Sequence, residues 1–251
     1  MMSGFRRGLM ANAAIDPLKV PLTFTAAEAG AVIVLSFRNM DAAGIYYRTG
    51  TTGSWLPVSD SDMTENGQYK YFTVTTLNGI GDKVQFWNAN DRLGTAYNVY
   101  TTFTFSKQVS ASGNIQSMLN WRNDVPDRSF GYLFSGQTNL IDVSNLLMPA
   151  TSYGNYSCQQ MFYNTRISKA PKFAKSISFT ADGAFAKMFW DCADLSEIRC
   201  PLTAWTVPYQ NTTFDWVSGV PAGGIFYKPS ALPEEYGINR IPEGWTVVNI
   251  D

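Results

Sequence analysis

The stretches FGYLFSGQTNL at 130–140, CQQMFYNTRI at 158–167 and FAKMFWDCADL at 185–195 are three versions of one pattern, and their spacing decides the fold. Aligned, they superpose Phe134, Phe162 and Phe189 at intervals of 28 and 27 positions. They also superpose Leu140, Ile167 and Leu195 at intervals of 27 and 28. Self-similarity at a fixed period marks a coil of repeated supersecondary units. One such unit cannot bury its own apolar edge, so the units must stack, and the three phenylalanines are expected one above another in a shared interior.

A period of 27–28 falls inside the range of about 20–29 residues that leucine-rich repeats use. Each aromatic pair then reads as a short helical turn, and each segment after the Leu/Ile position as a strand, 169–173 and 197–200 among them. Three units are near the minimum for a stable stack, and their open ends need covers. Residues 115–121 and the region before them cover one end, and 214–248 the other.

Working outward, residues 20–105 change character. Segments 20–25, 31–37, 44–49, 69–75, 83–87 and 97–105 are short and rich in β-branched and aromatic residues, with Gly/Asn/Asp punctuation between them. Strands of this length and spacing predict a β-sandwich. The alternation of Thr101, Phe103 and Phe105 turns one aromatic face inward. The polar stretch KQVSASG at 107–113 reads as a junction. The expected fold class is therefore mainly β with short helices: an N-terminal Ig-like β-sandwich followed by a short leucine-rich-repeat solenoid with a C-terminal cap. The expected division is an N-terminal anchor arm at 1–18, a β-sandwich domain at 19–107, the repeat domain at 108–206 and the cap at 207–251.

Composition narrows the function. Of 251 residues 45% are hydrophobic, enough for a full core. Only 16% are charged, against about 25% in an average soluble protein. A formal net charge of −1 argues against a nucleic-acid partner held by counterion release. The chain contains no histidine, which removes Ser-His and Cys-His nucleophiles and His-containing zinc sites. Cys158, Cys192 and Cys200 have no CxxC spacing, so they read as buried free thiols, with a Cys192–Cys200 bridge as the alternative. The basic start holding Phe5, Arg6, Arg7, Leu9 and Met10 lacks the continuous apolar run of a secretory signal, being broken by Asn12, Asp16 and Pro17. No later stretch is long enough to span a membrane. Folding in a cytoplasm without export is the expectation.

Several motifs carry a resemblance. SGNIQSML at 112–119 introduces the repeats, and the Cys-x-x-Met-Phe and Met-Phe-x-x-Cys-x-x-Leu cores lie within them. WVSGV at 216–220, GIFYKP at 224–229 and GINRIPEGWTVV at 237–248 close the chain. Together they resemble the BspA-like leucine-rich-repeat proteins of gut Bacteroidetes and their phages. The openings PLTFTAAEAG at 21–30 and NGIGDKVQF at 78–86 resemble the small β domain that often precedes such repeats. The likeness covers roughly 19–250. The first repeat departs from it, with Leu133 and Gln137 in place of Met and Cys, and the second has Thr165 where the third has Cys192.

The resemblance implies a non-catalytic structural and adhesion protein without cofactors: a phage virion fibre or decoration component, made in the host cytoplasm. Phe5, Arg6, Arg7, Leu9 and Met10 resemble the opening of fibre-like phage proteins and would anchor the arm to other virion proteins. The expected partners are those proteins, further copies of the chain (three as the first expectation), and a host-surface glycan or protein. No nucleic acid and no membrane insertion are expected. The alternatives are a bacterial cell-surface adhesin and, below it, a carbohydrate-active enzyme.

Other candidates read more plainly. The segment 60–67 lacks the sixth-position Gly and twelfth-position Glu of a calcium loop and reads as a hairpin turn. Asp124/Asp127 and Glu234/Glu235 are carboxylate pairs in Pro-flanked loops, where solvated surface is the simpler reading than glycoside hydrolysis. Trp55, Trp87, Trp190, Trp205 and Tyr163 would stack on sugars if exposed, although aromatics in such folds mostly pack.

Overall fold

A computed structural model describes residues 16–205 and 212–250. Among these residues strand accounts for 38% and helix for 5%, no helix reaches seven residues and no sheet closes, so the fold is mainly β with several open sheets. The helical pieces among the described residues are three 3₁₀ turns, Pro17–Lys19, Asp60–Asp62 and Ile115–Leu119.

The first part contains β1 (Leu22–Ala26), β2 (Ala31–Arg38), β3 (Ile45–Thr49), β4 (Leu56–Pro57), β5 (Thr64–Asn66), β6 (Tyr69–Leu77), β7 (Lys83–Asn88), β8 (Gly94–Ala96) and β9 (Val99–Phe105). The second contains β10 (Val109–Asn114), β11 (Asp124–Val125), β12 (Leu140–Met148), β13 (Ser152–Tyr153), β14 (Lys172–Phe173), β15 (Phe179–Thr180), β16 (Glu197–Arg199), β17 (Ile225–Lys228) and β18 (Thr246–Asn249). One five-stranded sheet runs β5-β6-β2-β9-β8, and a seven-stranded sheet runs β14-β12-β10-β1-β7-β3-β4. Period-two alternation puts Ile33, Leu35 and Phe37 of β2 and Leu22, Phe24 and Ala26 of β1 inside. The sheets meet through their rings: Phe103 of the five-stranded sheet lies 4.9 Å from Phe24 and 5.1 Å from Phe86 of the seven-stranded one.

The stretch expected as a polar junction at 107–113 is instead largely strand. β10 pairs antiparallel with β1 and parallel with β12, so both of its edges are bonded. Its small residues allow this, and Gly113, at φ +79°, sits where any Cβ would overlap the carbonyl of Pro21.

Beyond β10 the chain winds into stacked rungs. β11, β13 and β15 form one parallel ladder, and β16, β17 and β18 another. Between the ladders run the repeat segments, and these are not the short helices expected. Left-handed φ recurs every fourth residue, at Arg128, Tyr132 and Gly136, at Tyr156, Gln160 and Asn164, and at Gly183, Lys187 and Asp191. That recurrence interrupts any helix and makes each segment a run of tight turns. Alternate amides close the turns, as in Met161 N–H to the Cys158 carbonyl (3.2 Å) and Tyr163 to Gln160 (3.2 Å). The others reach the next rung: Phe134 to Met161 (3.0 Å), Phe162 to Met188 (2.9 Å) and Phe189 to Trp216 (2.8 Å).

The three phenylalanines stack in that order. Phe134–Phe162 and Phe162–Phe189 are 5.5 and 5.8 Å apart, with planes 27° and 7° from parallel. The column begins in the first part, where Phe134 touches Phe24 and Phe103 at 6.0 and 5.9 Å. It continues past the third repeat to Trp216 at 6.0 Å, and Trp216 meets Phe226 at 6.2 Å. Residues 212–218 thus add a further turn run to the stack, and the buried residues form one continuous core.

Cys158, Cys192 and Cys200 are buried and free. Burial pushes the Cys192 thiol up to about 11 and Cys200 to about 12, and raises Cys158 further still. Cys192 donates to the Phe162 carbonyl (2.9 Å) and lies 3.4 Å from the Thr165 hydroxyl, its repeat equivalent one rung below.

Three outcomes follow. Phe162→Ala removes the middle of the column and lowers unfolding free energy by about 3–5 kcal/mol in urea titrations. Because the core is continuous, tryptophan fluorescence and far-ultraviolet dichroism keep a common midpoint; separate midpoints would show that the two parts unfold independently. The three thiols stay unreactive to a thiol-specific reagent at pH 8 in the folded protein and all react in denaturant.

Candidate functional site

The rungs expose a row of aromatic and cationic side chains on the outside of the turn runs. At the end nearest the first part, Tyr132 packs against Tyr100 (4.9 Å) and Tyr97 (6.1 Å), and Tyr97 is 65% exposed. The Arg38 guanidinium lies 5.5 Å from the Tyr100 ring and 5.6 Å from Tyr69. Burial, with the neighbouring tyrosines, pushes the Tyr132 phenol up to about 12, so it is a neutral hydroxyl at physiological pH.

One rung on, the Arg128 guanidinium sits 4.6 Å from the centre of the Tyr156 ring, whose hydroxyl donates to Asp182 (3.1 Å). Gly183, at φ +60°, leaves room for that ring, and any Cβ there would overlap it. On the following rungs Lys187 Nζ lies 4.3 Å from the Trp190 ring and 5.8 Å from Phe214, which is 45% exposed. Tyr163 closes on Trp190 at 5.4 Å. Between Tyr156 and Phe214 the surface opens into a groove of about 350 Å³ lined also by Gln159, Gly183, Ala186 and Lys187.

The left-handed backbone sets this row. Arg128, Tyr156 and Gly183 occupy one such position on successive rungs, and Tyr132, Gln160 and Lys187 the next. A left-handed non-glycine residue costs about 1–2 kcal/mol. Here the bonds from Tyr132, Gln160 and Lys187 to the adjacent rung, 2.9, 2.9 and 2.7 Å long, hold it in place.

The residues singled out in the sequence fall variously. Phe5, Arg6, Arg7, Leu9 and Met10 lie outside the described residues. Trp190 and Tyr163 belong to the row, whereas Trp205 is buried and donates to the Pro233 carbonyl (2.8 Å). Trp87 stacks on Tyr46 (5.1 Å) and Trp55 lies under Arg48 (4.6 Å), together on the seven-stranded sheet. Asp124 is chelated by Arg122 (2.8 and 2.9 Å), whose hydrogen bonds hold its carboxyl below the usual range. Asp127 instead accepts from the backbone and side chain of Asn155 (2.7 and 3.1 Å). Glu234 takes the Tyr236 hydroxyl (2.8 Å) and Glu235 takes Arg240 (3.1 Å), so each pair is split between different partners. At 60–65 the ammonium of Lys70 stands among Asp41, Asp60 and Glu65 at 2.7, 3.9 and 3.9 Å, filling the centre that a cation would need. Among the described residues no three His, Cys, Asp or Glu side chains converge as metal ligands.

Tyr132, Tyr156, Lys187 and Phe214 were not singled out in the sequence. Each lies two residues from a ladder ring or just outside an aligned segment, and the repeat period itself was the available signal. No protein-family model, curated protein or solved structure matches the chain.

Gly183→Ala both strains φ and displaces the Tyr156 ring, and lowers stability by about 1–3 kcal/mol by denaturant midpoint. In the Tyr156→Ala background the loss shrinks, since only the backbone strain remains.

Proposed function

We propose that this chain is a non-catalytic adhesion and structural module of a virion surface, a fibre or decoration component. In this reading the two facing sheets are an Ig-like sandwich, and the stacked rungs are a short leucine-rich-repeat solenoid of the BspA-like kind. The observation that carries the proposal is the aromatic and cationic row, fixed in register along a continuous rigid core. A preorganised face loses little side-chain entropy on binding, which suits attachment to a repetitive surface. Amphipathic rings with adjacent hydrogen-bonding groups suit glycans, whose ring faces are apolar and whose rims are polar. The motif likeness at 112–119 and 216–248 supports the BspA-like reading, and the likeness of Phe5, Arg6, Arg7, Leu9 and Met10 to the opening of fibre-like phage proteins supports the virion setting. There the arm at 1–18 attaches the chain to other virion proteins, and three copies associate about an axis, as closed homo-oligomers commonly do.

The test is adhesion. Fluorescently labelled full chain is expected to bind cells of some gut Bacteroidetes strains and a subset of bacterial glycans on an array. Tyr132→Ala with Phe214→Ala lowers that binding at least ten-fold without loss of secondary structure by circular dichroism. Undiminished binding by the double variant, or no binding to any strain or glycan, overturns the adhesive role. In particles, deletion of residues 2–18 abolishes incorporation; normal incorporation of the deleted chain refutes the attachment role of the arm.

A further inference from the structure

We infer that the groove between Tyr156 and Phe214 is a subsite for one acidic sugar residue, a hexuronate or similar sugar acid, with Lys187 as the partner of its carboxylate. This rests on the adhesive reading and narrows it to a ligand class. The groove, about 350 Å³, is at the small end of ligand sites. Gly183 and Ala186 form part of its lining, and larger side chains there would fill it.

Its walls are fixed before any ligand arrives. Tyr156 is held by its hydroxyl on Asp182 (3.1 Å) and by close packing against Gly183. The Lys187 amide donates to the Phe214 carbonyl (2.7 Å), which ties the Lys187 backbone to the opposite wall. Two polar groups in the lining are unspent. Neither the Gln159 carboxamide nor the Lys187 ammonium has a hydrogen-bond or ion-pair partner among the described residues. The ammonium stands instead between two rings, 4.3 Å from Trp190 and 5.8 Å from Phe214. A charge partly covered by rings and lacking a counterion favours an anionic ligand. Arg128, stacked on Tyr156 and also without a carboxylate partner among the described residues, adds positive potential beside the groove. Asp182 is the carboxylate tied to the lining, and its oxygen already accepts from Tyr156.

An acidic peptide fits less well. Extended peptides bind through unpaired strand edges. Here Tyr156, Cys158 and Lys187 donate to Asp182, Ala184 and Phe214, while Gln159 and Ala186 close local turns, so the backbone around the groove offers few free donors. A sugar asks only for ring faces and side-chain donors, and both are present.

The experiment is a ligand-observed nuclear magnetic resonance titration of the full chain with D-glucuronic acid, D-glucose and a hexaglutamate peptide. Glucuronate is expected to bind saturably in the millimolar range, at least ten-fold tighter than glucose. Lys187→Gln reduces glucuronate affinity about ten-fold, to the level of glucose, and leaves glucose binding unchanged. Phe214→Ala weakens both sugars, and circular dichroism checks the fold of each variant. Equal affinity for the two sugars, an unaffected Lys187→Gln variant, tighter binding of hexaglutamate, or no binding of either sugar overturns the assignment. Neutral-glycan adhesion that depends on Tyr132 but not on Lys187 would sink this subsite while leaving the adhesive role standing.

Discussion

Every second amide in a turn run closes a turn within its own rung, and the amides between them must find a carbonyl on the next rung. A single rung therefore carries a row of donors that it cannot satisfy, and leaving such groups buried without partners is costly. The phenylalanine column imposes the same requirement on side chains, since each ring presents a face that only a neighbouring ring covers. Stacking is thus a condition for any rung to exist. It also explains why the first part of the chain is more than an attachment. The outer edge of β9 receives the first run: the Phe103 amide donates to the Leu133 carbonyl (2.8 Å), and Asn139 reaches the Phe105 carbonyl (2.8 Å). β10 meanwhile carries the seven-stranded sheet directly into β12. Both sheets flow into the stack, and a strand edge that would otherwise invite aggregation is covered.

The same geometry makes the surface. A left-handed residue at every fourth position repeats the same outward placement on successive rungs, so chemically different residues arrive in columns. Where the interior demands Phe, Met, Cys or Leu, these outward positions carry Arg128, Tyr132, Tyr156 and Lys187. The core fixes the spacing and leaves the identities of the outward side chains open, so the outer face can vary while the fold stays constant.

Much of this was legible in residue types. The recurrence of Phe134, Phe162 and Phe189 gave the column, and the punctuated β-branched segments gave the main strands of the two facing sheets. Their cores fall where alternation put them. The turn runs were not legible as turns, because Arg128, Tyr132, Tyr156, Gln160 and Lys187 hold left-handed positions, and Gly136, Asn164, Gly183 and Asp191, whose types favour that backbone, fall irregularly among them. The departures in the first repeat have a local cause. Gln137 stands where the other repeats carry Thr165 and Cys192, and its carbonyl oxygen accepts the Phe105 amide (3.3 Å) at the join with β9. A residue that faces a sheet edge needs a long polar side chain to reach it, whereas its shorter equivalents Thr165 and Cys192 both donate to the Phe162 carbonyl inside the stack. The groove was not legible for a different reason: Tyr156 and Phe214 lie outside the aligned segments and come to line one groove only through the stacking itself.

Charge completes the picture. The chain has few charged residues, and four of its carboxylates work between rungs. Asp127 holds Asn155, Asp182 holds Tyr156, Glu197 pairs with Lys169 (2.9 Å), and Asp194 pairs with Arg166 (2.5 Å). Partly exposed pairs of this kind add little stability individually, but each fixes the lateral register of two turns. With acids engaged in this way, Arg128 and Lys187 have aromatic rings and no carboxylate beside them among the described residues. A molecule with almost no net charge thereby presents a locally positive, ring-walled face, and the asymmetry arises from which sign of charge the stacking consumes.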